Sequence, residues 1–270
     1  SGAPESVKNT VLNINSHQTG PRYLRALFKA GCDNIIITYP DSSMFGCVVA
    51  PALDEFVGFE IMQQSEKKCV IKEISGLTDN TDLSTLINRT FILLLSLADD
   101  TYSALKGGNI ELLGDLIKRD VTINRVTNFT RRLLNKKGCE NPKDLPMIYH
   151  IVEELENLGD EYKYLCCYLL ENKAKIKNPE ILEIMNDANN LLREFYHLYF
   201  KFNHERAEKI SKERAAINKR VIAAFSTRNI HELKTLDSVA RMAQTVTHIL
   251  GPYLTMRLPE ICEEGLPGQQ

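Results

Sequence analysis

YHIVEELENLGDEYKYLCCYL, residues 149–169, sets five carboxylates, Glu153, Glu154, Glu156, Asp160 and Glu161, within nine positions. At about 100° per residue, Ile151, Leu155, Leu158, Tyr162, Cys166 and Leu169 fall on one stripe with the preceding Met147 and Ile148. That periodicity predicts a helix with a buried face. Glu153, Glu156, Asp160 and Tyr164 lie on a different strip, so helix geometry alone makes them a solvated face. Glu154 and Glu161 also read as solvated. Only partners from another helix would turn these carboxylates into a site.

After Gly76, long segments with the same helical periodicity follow one another with short breaks and almost no strand signal. A helix capped by Asp79 or Asn80 is expected to reach about Leu105 and end at Gly107-Gly108. A second runs from about Asn109 to Lys137, before Gly138. Pro142 and Pro146 flank the start of a third that reaches about Lys175, and Asn178-Pro179 opens a fourth. The run from Pro179 to Ser226 needs a break, best placed at Phe202-Asn203-His204. A last helix covers about Ile230 to Leu254 and frays near Pro252. LENLGDEYKYLCCYL and LDSVARMAQTVTHIL end the two groups of three helices, which suggests an internal repeat of about 80 residues. Two stacked three-helix bundles follow from short loops and facing apolar stripes.

Upstream, the order is β-α-β-α-β-β: VKNTVLNIN, GPRYLRALFKAGC, NIIITYP, a helix near Val48 to Phe56, then VGFEIMQQ and CVIKEIS around a polar turn at Glu66-Lys67-Lys68. The expected fold is therefore mainly α, with a small N-terminal α/β unit. Expected boundaries are 1–76 for that unit, 77–176 and 177–258 for the two bundles, and 259–270 for a flexible tail.

A chain that is 43% hydrophobic and 25% charged has the balance of a globular protein. FILLLSLA, Phe91 to Ala98, is far shorter than the roughly 20 apolar residues of a membrane span, so no membrane insertion is expected. A net charge of -2 without a basic block gives no footprint for nucleic acid. Seven cysteines, an odd number with none spaced CxxC, fit reduced thiols and a cytoplasmic location. SGAPES shows no signal-peptide pattern and reads as a cloning remnant.

On the second helix, Asp120 and Asn124 share a stripe with Leu113, Leu116, Ile117, Ile123, Thr127 and Leu134. An unpaired carboxylate there would cost several kcal/mol, so it needs a cation, a metal or strong donors. Arg89, Arg131 and Lys163 are the side-chain cations on offer. Asp120-x-x-x-Asn124 and Glu156-x-x-x-Asp160 each place two oxygen donors one turn apart. If their helices are antiparallel neighbours, the four converge into a set suited to a hard or borderline cation.

RDVTINRV around Asp120 and ELENLGDEYKY around Asp160 resemble the paired acidic motifs of the PhoU family of phosphate-uptake regulators, with LENLGD, residues 155–160, similar to that family's L-E-R-I-G-D. The resemblance covers about Asp79 to Leu254, and GPRYLRALFKAG and VGFEIMQQ resemble the segment before the helices in archaeal-type members. It implies two stacked three-helix bundles and a cytoplasmic, non-enzymatic regulator that couples a phosphate transporter component or a sensor kinase to phosphate supply. A homodimer is compatible with it. It also implies metal ligation by Asp120, Glu156 and Asp160, with Asn124 where the motif expects Asp. The metal would be a divalent or trivalent ion such as Fe, Zn, Mg or Mn. In the second repeat, Glu213 is followed by Ile217 and Asp237 by Arg241, so at most one site is expected. Archaeal-type members often carry an AbrB-like DNA-binding segment for which this chain has no room.

Other constellations read as structural. Glu194 and His197 form one ExxH half-site where a di-iron bundle needs two, and Glu205-Lys209 and Glu208-Lys212 are surface pairs. No phosphate loop, nucleophile elbow or HExxH is present. The alternatives are a metal-dependent hydrolase of a phosphoryl compound, which needs a second metal or a nearby His or Lys base, and a helical interaction scaffold without metal.

Overall fold

The computed structural model describes residues 8–76 and 81–265. The chain divides into two compact units, Ser1–Asn88 with Asn124–Leu145, and Arg89–Ile123 with Pro146–Gln270. These bounds differ from the sequence-based ones because the long helices run through both units.

In the first unit, the expected β-α-β-α-β-β order is found. β1 (Asn9–Asn13) precedes α1 (Gly20–Lys29), β2 (Asn34–Thr38), a π turn at Phe45–Val49 that leads into α2 (Ala50–Leu53), β3 (Phe59–Gln64) and β4 (Lys68–Glu73). The sheet order is β1-β2-β4-β3, with β1 parallel to β2 and the other pairs antiparallel. The β3 register slips between Ile61 and Gln63. Alternation buries Ile35, Ile37, Cys69 and Ile71 on one face, and full burial of each isoleucine contributes about 1.5–3 kcal/mol. Phe28 stacks on Phe56 at 4.5 Å and meets the edge of Phe59 at 5.4 Å.

A buried cation closes this core. Arg132 has no exposed surface, and its Nη1 donates to Phe28 O at 3.0 Å and Cys32 O at 2.8 Å. Its Nη2 donates to Asp33, and its guanidinium lies 5.2 Å and 5.0 Å from the Phe28 and Phe59 ring centres. Lys136 also donates to Asp33, at 2.8 Å. Nearby, Arg25 forks onto Glu55 at 2.7 Å and 2.6 Å, and Asn128 donates to the same carboxylate at 3.3 Å.

Burial of Asp33 opposes its charge, but hydrogen bonds from Lys136 and the Lys8 amide, with the charges of Lys136 and Arg132, outweigh it and hold the carboxyl below its ordinary 3.8. A depressed folded-state pKa stabilises the fold above the unfolded value, and this contribution disappears as pH falls through the folded one. Urea melts below about pH 4 should therefore show Asp33→Asn losing less stability on acidification than the parent chain. Parallel acid losses in the two proteins would contradict this.

The six long helices are α3 (Leu83–Lys106), α4 (Leu113–Lys137), α5 (Leu145–Glu171), α6 (Pro179–Phe200), α7 (His204–Ala224) and α8 (Ile230–Met256), followed by the short α9 (Leu258–Gly265). They match the predicted six closely. Asparagines open three of them, since the side chains of Asn178, Asn203 and Asn229 accept from Glu180 N, Arg206 N and His231 N.

Four details differ from the sequence reading. The first-turn amide of Thr85 in α3 is accepted by Asp82, at 2.9 Å, and the expected caps Asp79 and Asn80 lie outside the described residues. Helix α5 stops at Glu171 because Lys173 turns left-handed, with φ 48°. Helix α8 continues through Pro252, and the hydroxyl of buried Tyr253 donates to Leu198 O at 2.5 Å. Residues 258–265 form α9 where a flexible tail was expected. Lys173→Gly should raise stability by about 1 kcal/mol, because an L side chain is disfavoured in the left-handed region. A lower denaturation midpoint would contradict that expectation.

The second unit contains α6, α7 and α8, each packed against the other two, together with α5 and parts of α3 and α4. Tyr162 and Asn189 tie three helices together: the hydroxyl donates to Asn189 Oδ1 at 2.6 Å, and Asn189 Nδ2 donates to Ala98 O at 2.9 Å. Gly159 lets α5 approach α4 and α3, because a Cβ there would meet Ile123 at 3.3 Å and Leu94 at 3.4 Å. All seven cysteines are free thiols, and burial pushes Cys69 up to about 11 and Cys166 up to about 12.

Candidate functional site

The apolar stripe of α5 is buried as its periodicity requires, with Ile151, Leu155, Leu158, Tyr162, Cys166 and Leu169 each at most 1% exposed. That packing turns the flank of α5 towards α4. Asp120 on α4 is only 5% exposed, as expected for a carboxylate on an apolar stripe. Its partner is Lys163, one of the three cations the sequence offered. Lys163 Nζ donates to Asp120 Oδ2 at 2.8 Å and also to Asp160 on its own helix.

One ammonium therefore joins the two aspartates of the two sequence motifs. Burial works against the charge on Lys163, but Asp120 and Asp160 outweigh it and raise its pKa above the ordinary 10.5. Lys163 is thus held in its charged form at neutral pH. Its side chain keeps 22% exposure and lies 4.9 Å from the Tyr164 ring centre, so the ammonium has a route to solvent.

Of the other expected ligands, Glu156 is half-buried on α5, one turn before Asp160, and Asn124 is half-buried on α4 within the first unit. Among the described residues, no three His, Cys, Asp or Glu side chains are grouped closely enough to hold a metal ion. In this arrangement Lys163 supplies positive charge to Asp120, one of the alternatives the sequence left open.

Two carboxylates expected in solvent are instead held between helices. Glu161, whose side chain is 20% exposed, accepts from Arg241 Nε at 2.9 Å, and Glu154, at 16%, lies 3.8 Å from His248 Nδ1. Helix α8 supplies both basic partners, and the periodicity of α5 alone contained no signal for them. Arg241 also reaches Asp237 at 3.0 Å, so the corresponding position in the second repeat neutralises itself. Glu194 pairs with Arg206 at 2.9 Å and Lys209 at 2.8 Å, in agreement with a structural reading of the ExxH pair. Sequence reasoning missed Arg132 and Asp33; the tandem Arg131-Arg132 set between Phe129-Thr130 and Leu133-Leu134 was the available signal.

No helix among the described residues is long and apolar enough to cross a membrane. No family model matches the chain, and no curated protein matches it. Among solved structures, it is similar to the phosphate transport system regulatory protein PhoU from Streptococcus pneumoniae, with a TM-score of 0.53 and 16% identity over 66% of this chain and 94% of that one. That likeness is one of fold: a mainly α, PhoU-like helical-bundle protein with a small N-terminal α/β unit.

Proposed function

We propose that the protein is a non-enzymatic regulatory adaptor that modulates phosphate uptake or phosphate signalling by binding a transporter component or a sensor kinase. The PhoU-like fold supports this reading, and so does the similarity of LENLGD to the family motif. The observation that carries the mechanism is the bridge of Lys163 between Asp120 and Asp160. On this reading a divalent cation would be held by Asp120 and Asp160 in place of the Lys163 ammonium, with Glu156, one turn before Asp160, as a further oxygen donor. Exchange of one cation for another preserves charge balance at a buried aspartate while changing the surface around Tyr164.

A second reading, a helical interaction scaffold without metal, is favoured by the same salt bridge, because Lys163 already neutralises Asp120. Phosphate uptake separates a regulatory role for these carboxylates from a purely structural one. Cells carrying Asp120→Asn with Asp160→Asn should lose the normal reduction of uptake when phosphate is plentiful, while the variant accumulates as folded protein. Wild-type uptake at every phosphate level would count against the regulatory reading.

A further inference from the structure

Three chain reversals lie at one end of the second unit: residues 107–112 between α3 and α4, 172–178 between α5 and α6, and 225–229 between α7 and α8. Two cavities make them continuous. One of about 770 Å3 joins Gly107, Gly108 and Ile110 to Leu170, Lys173 and Lys175. The other, about 430 Å3, joins Asn178 and Glu180 to Arg220, Ser226 and Thr227.

Burial alternates through the middle reversal. Ala174 and Ile176 are 5% and 4% exposed, while Lys173, Lys175 and Lys177 are all exposed. The three exposed lysines thus flank the two buried apolar side chains along this reversal. With Arg228, the reversals carry four cations against Glu111, and the adjoining helix ends add the exposed Glu171 and Glu180, the latter paired with Arg220 at 2.9 Å. Among the described residues, none of these four cations has a carboxylate within ion-pair distance. Lys173 also stands in the left-handed region, where glycine would be relaxed, so the chain keeps a charge there against its backbone preference.

Large apolar side chains project around these cations: Leu112 is 49% exposed, Ile222 62%, Phe225 46% and Ile230 62%. We propose that this end of the second unit docks peripherally on an anionic lipid surface. The lysines and Arg228 meet headgroup phosphates, and Leu112, Ile222, Phe225 and Ile230 rest at the acyl boundary. Exposed basic groups accompanied by exposed large apolar side chains are the combination by which a peripheral protein holds an anionic lipid surface. The proposal does not depend on a role in phosphate regulation.

Co-sedimentation of the full chain with vesicles is the test. It should associate with vesicles of equal parts phosphatidylglycerol and phosphatidylcholine, weaken as salt rises, and associate far less with phosphatidylcholine alone. Lys173→Glu with Lys175→Glu and Lys177→Glu should reduce the vesicle affinity about a hundredfold or more. Phe225→Ser with Ile230→Ser should reduce it about tenfold at unchanged charge. Lys201→Glu, at the α6–α7 reversal, should bind as the parent does, and circular dichroism melts identify any variant that has unfolded. Absence of binding to anionic vesicles at low salt, equal binding to neutral vesicles, or undiminished binding by the folded triple variant would each overturn the proposal. Binding to poly-glutamate without binding to vesicles would overturn it too, and would assign the surface to an acidic protein.

Discussion

Lys163→Met is expected to lower stability by about 3 kcal/mol at neutral pH, near the lower end of the cost of breaking a buried ion pair because Lys163 is partly exposed. The substitution preserves most of the apolar stem, so the loss comes from Asp120, which remains 5% exposed without its ammonium. The raised pKa of Lys163 has the matching sign: its contribution is fully present below the ordinary 10.5 and disappears only as pH rises through the higher folded value. A urea midpoint that falls with an unchanged slope is the expected reading. Adding Asp120→Asn to the Lys163→Met protein should recover much of the loss, because the amide has no charge to bury. A single-variant loss below about 1 kcal/mol would mean that Asp120 is adequately held by other groups.

Arg132→Met should be the most damaging single change in the first unit, at about 3–5 kcal/mol. It removes the donor to Phe28 O, Cys32 O and Asp33 together, and none of those acceptors gains water in exchange, since Cys32 and Asp33 are 9% and 7% exposed. Lys136 continues to hold Asp33, which sets the upper limit on the loss. Thermal unfolding followed by near-ultraviolet dichroism is the measurement. A midpoint within a few degrees of the parent would contradict the assigned role.

The helices were legible because their ends are written locally. Asn178, Asn203 and Asn229 cap where sequence placed breaks, and Gly138 follows α4 with φ 74°. The α5 stop was missed because Lys173 occupies a position where glycine is the usual signal. The need of Asp120 for a cation was legible by the same kind of argument. A carboxylate on an apolar stripe demands a cation, and Lys163 was among the three available. Periodicity could not choose between lysine and a metal, since that depends on how α4 and α5 are rotated against each other. The Arg132 network was harder still, because its acceptors lie about a hundred residues earlier in the chain. Glu154 and Glu161 failed for a related reason: their partners His248 and Arg241 come from α8, which a reading confined to α5 does not include.

On the proposed reading, Lys163 and a divalent cation are alternative occupants of one acidic pair. Anomalous diffraction from crystals of the wild-type protein held in millimolar manganese tests this most directly. The expected result is a peak between Asp120 and Asp160, with the Lys163 side chain turned out to solvent. A Lys163 side chain still bridging both aspartates, with no peak beside them, would contradict it.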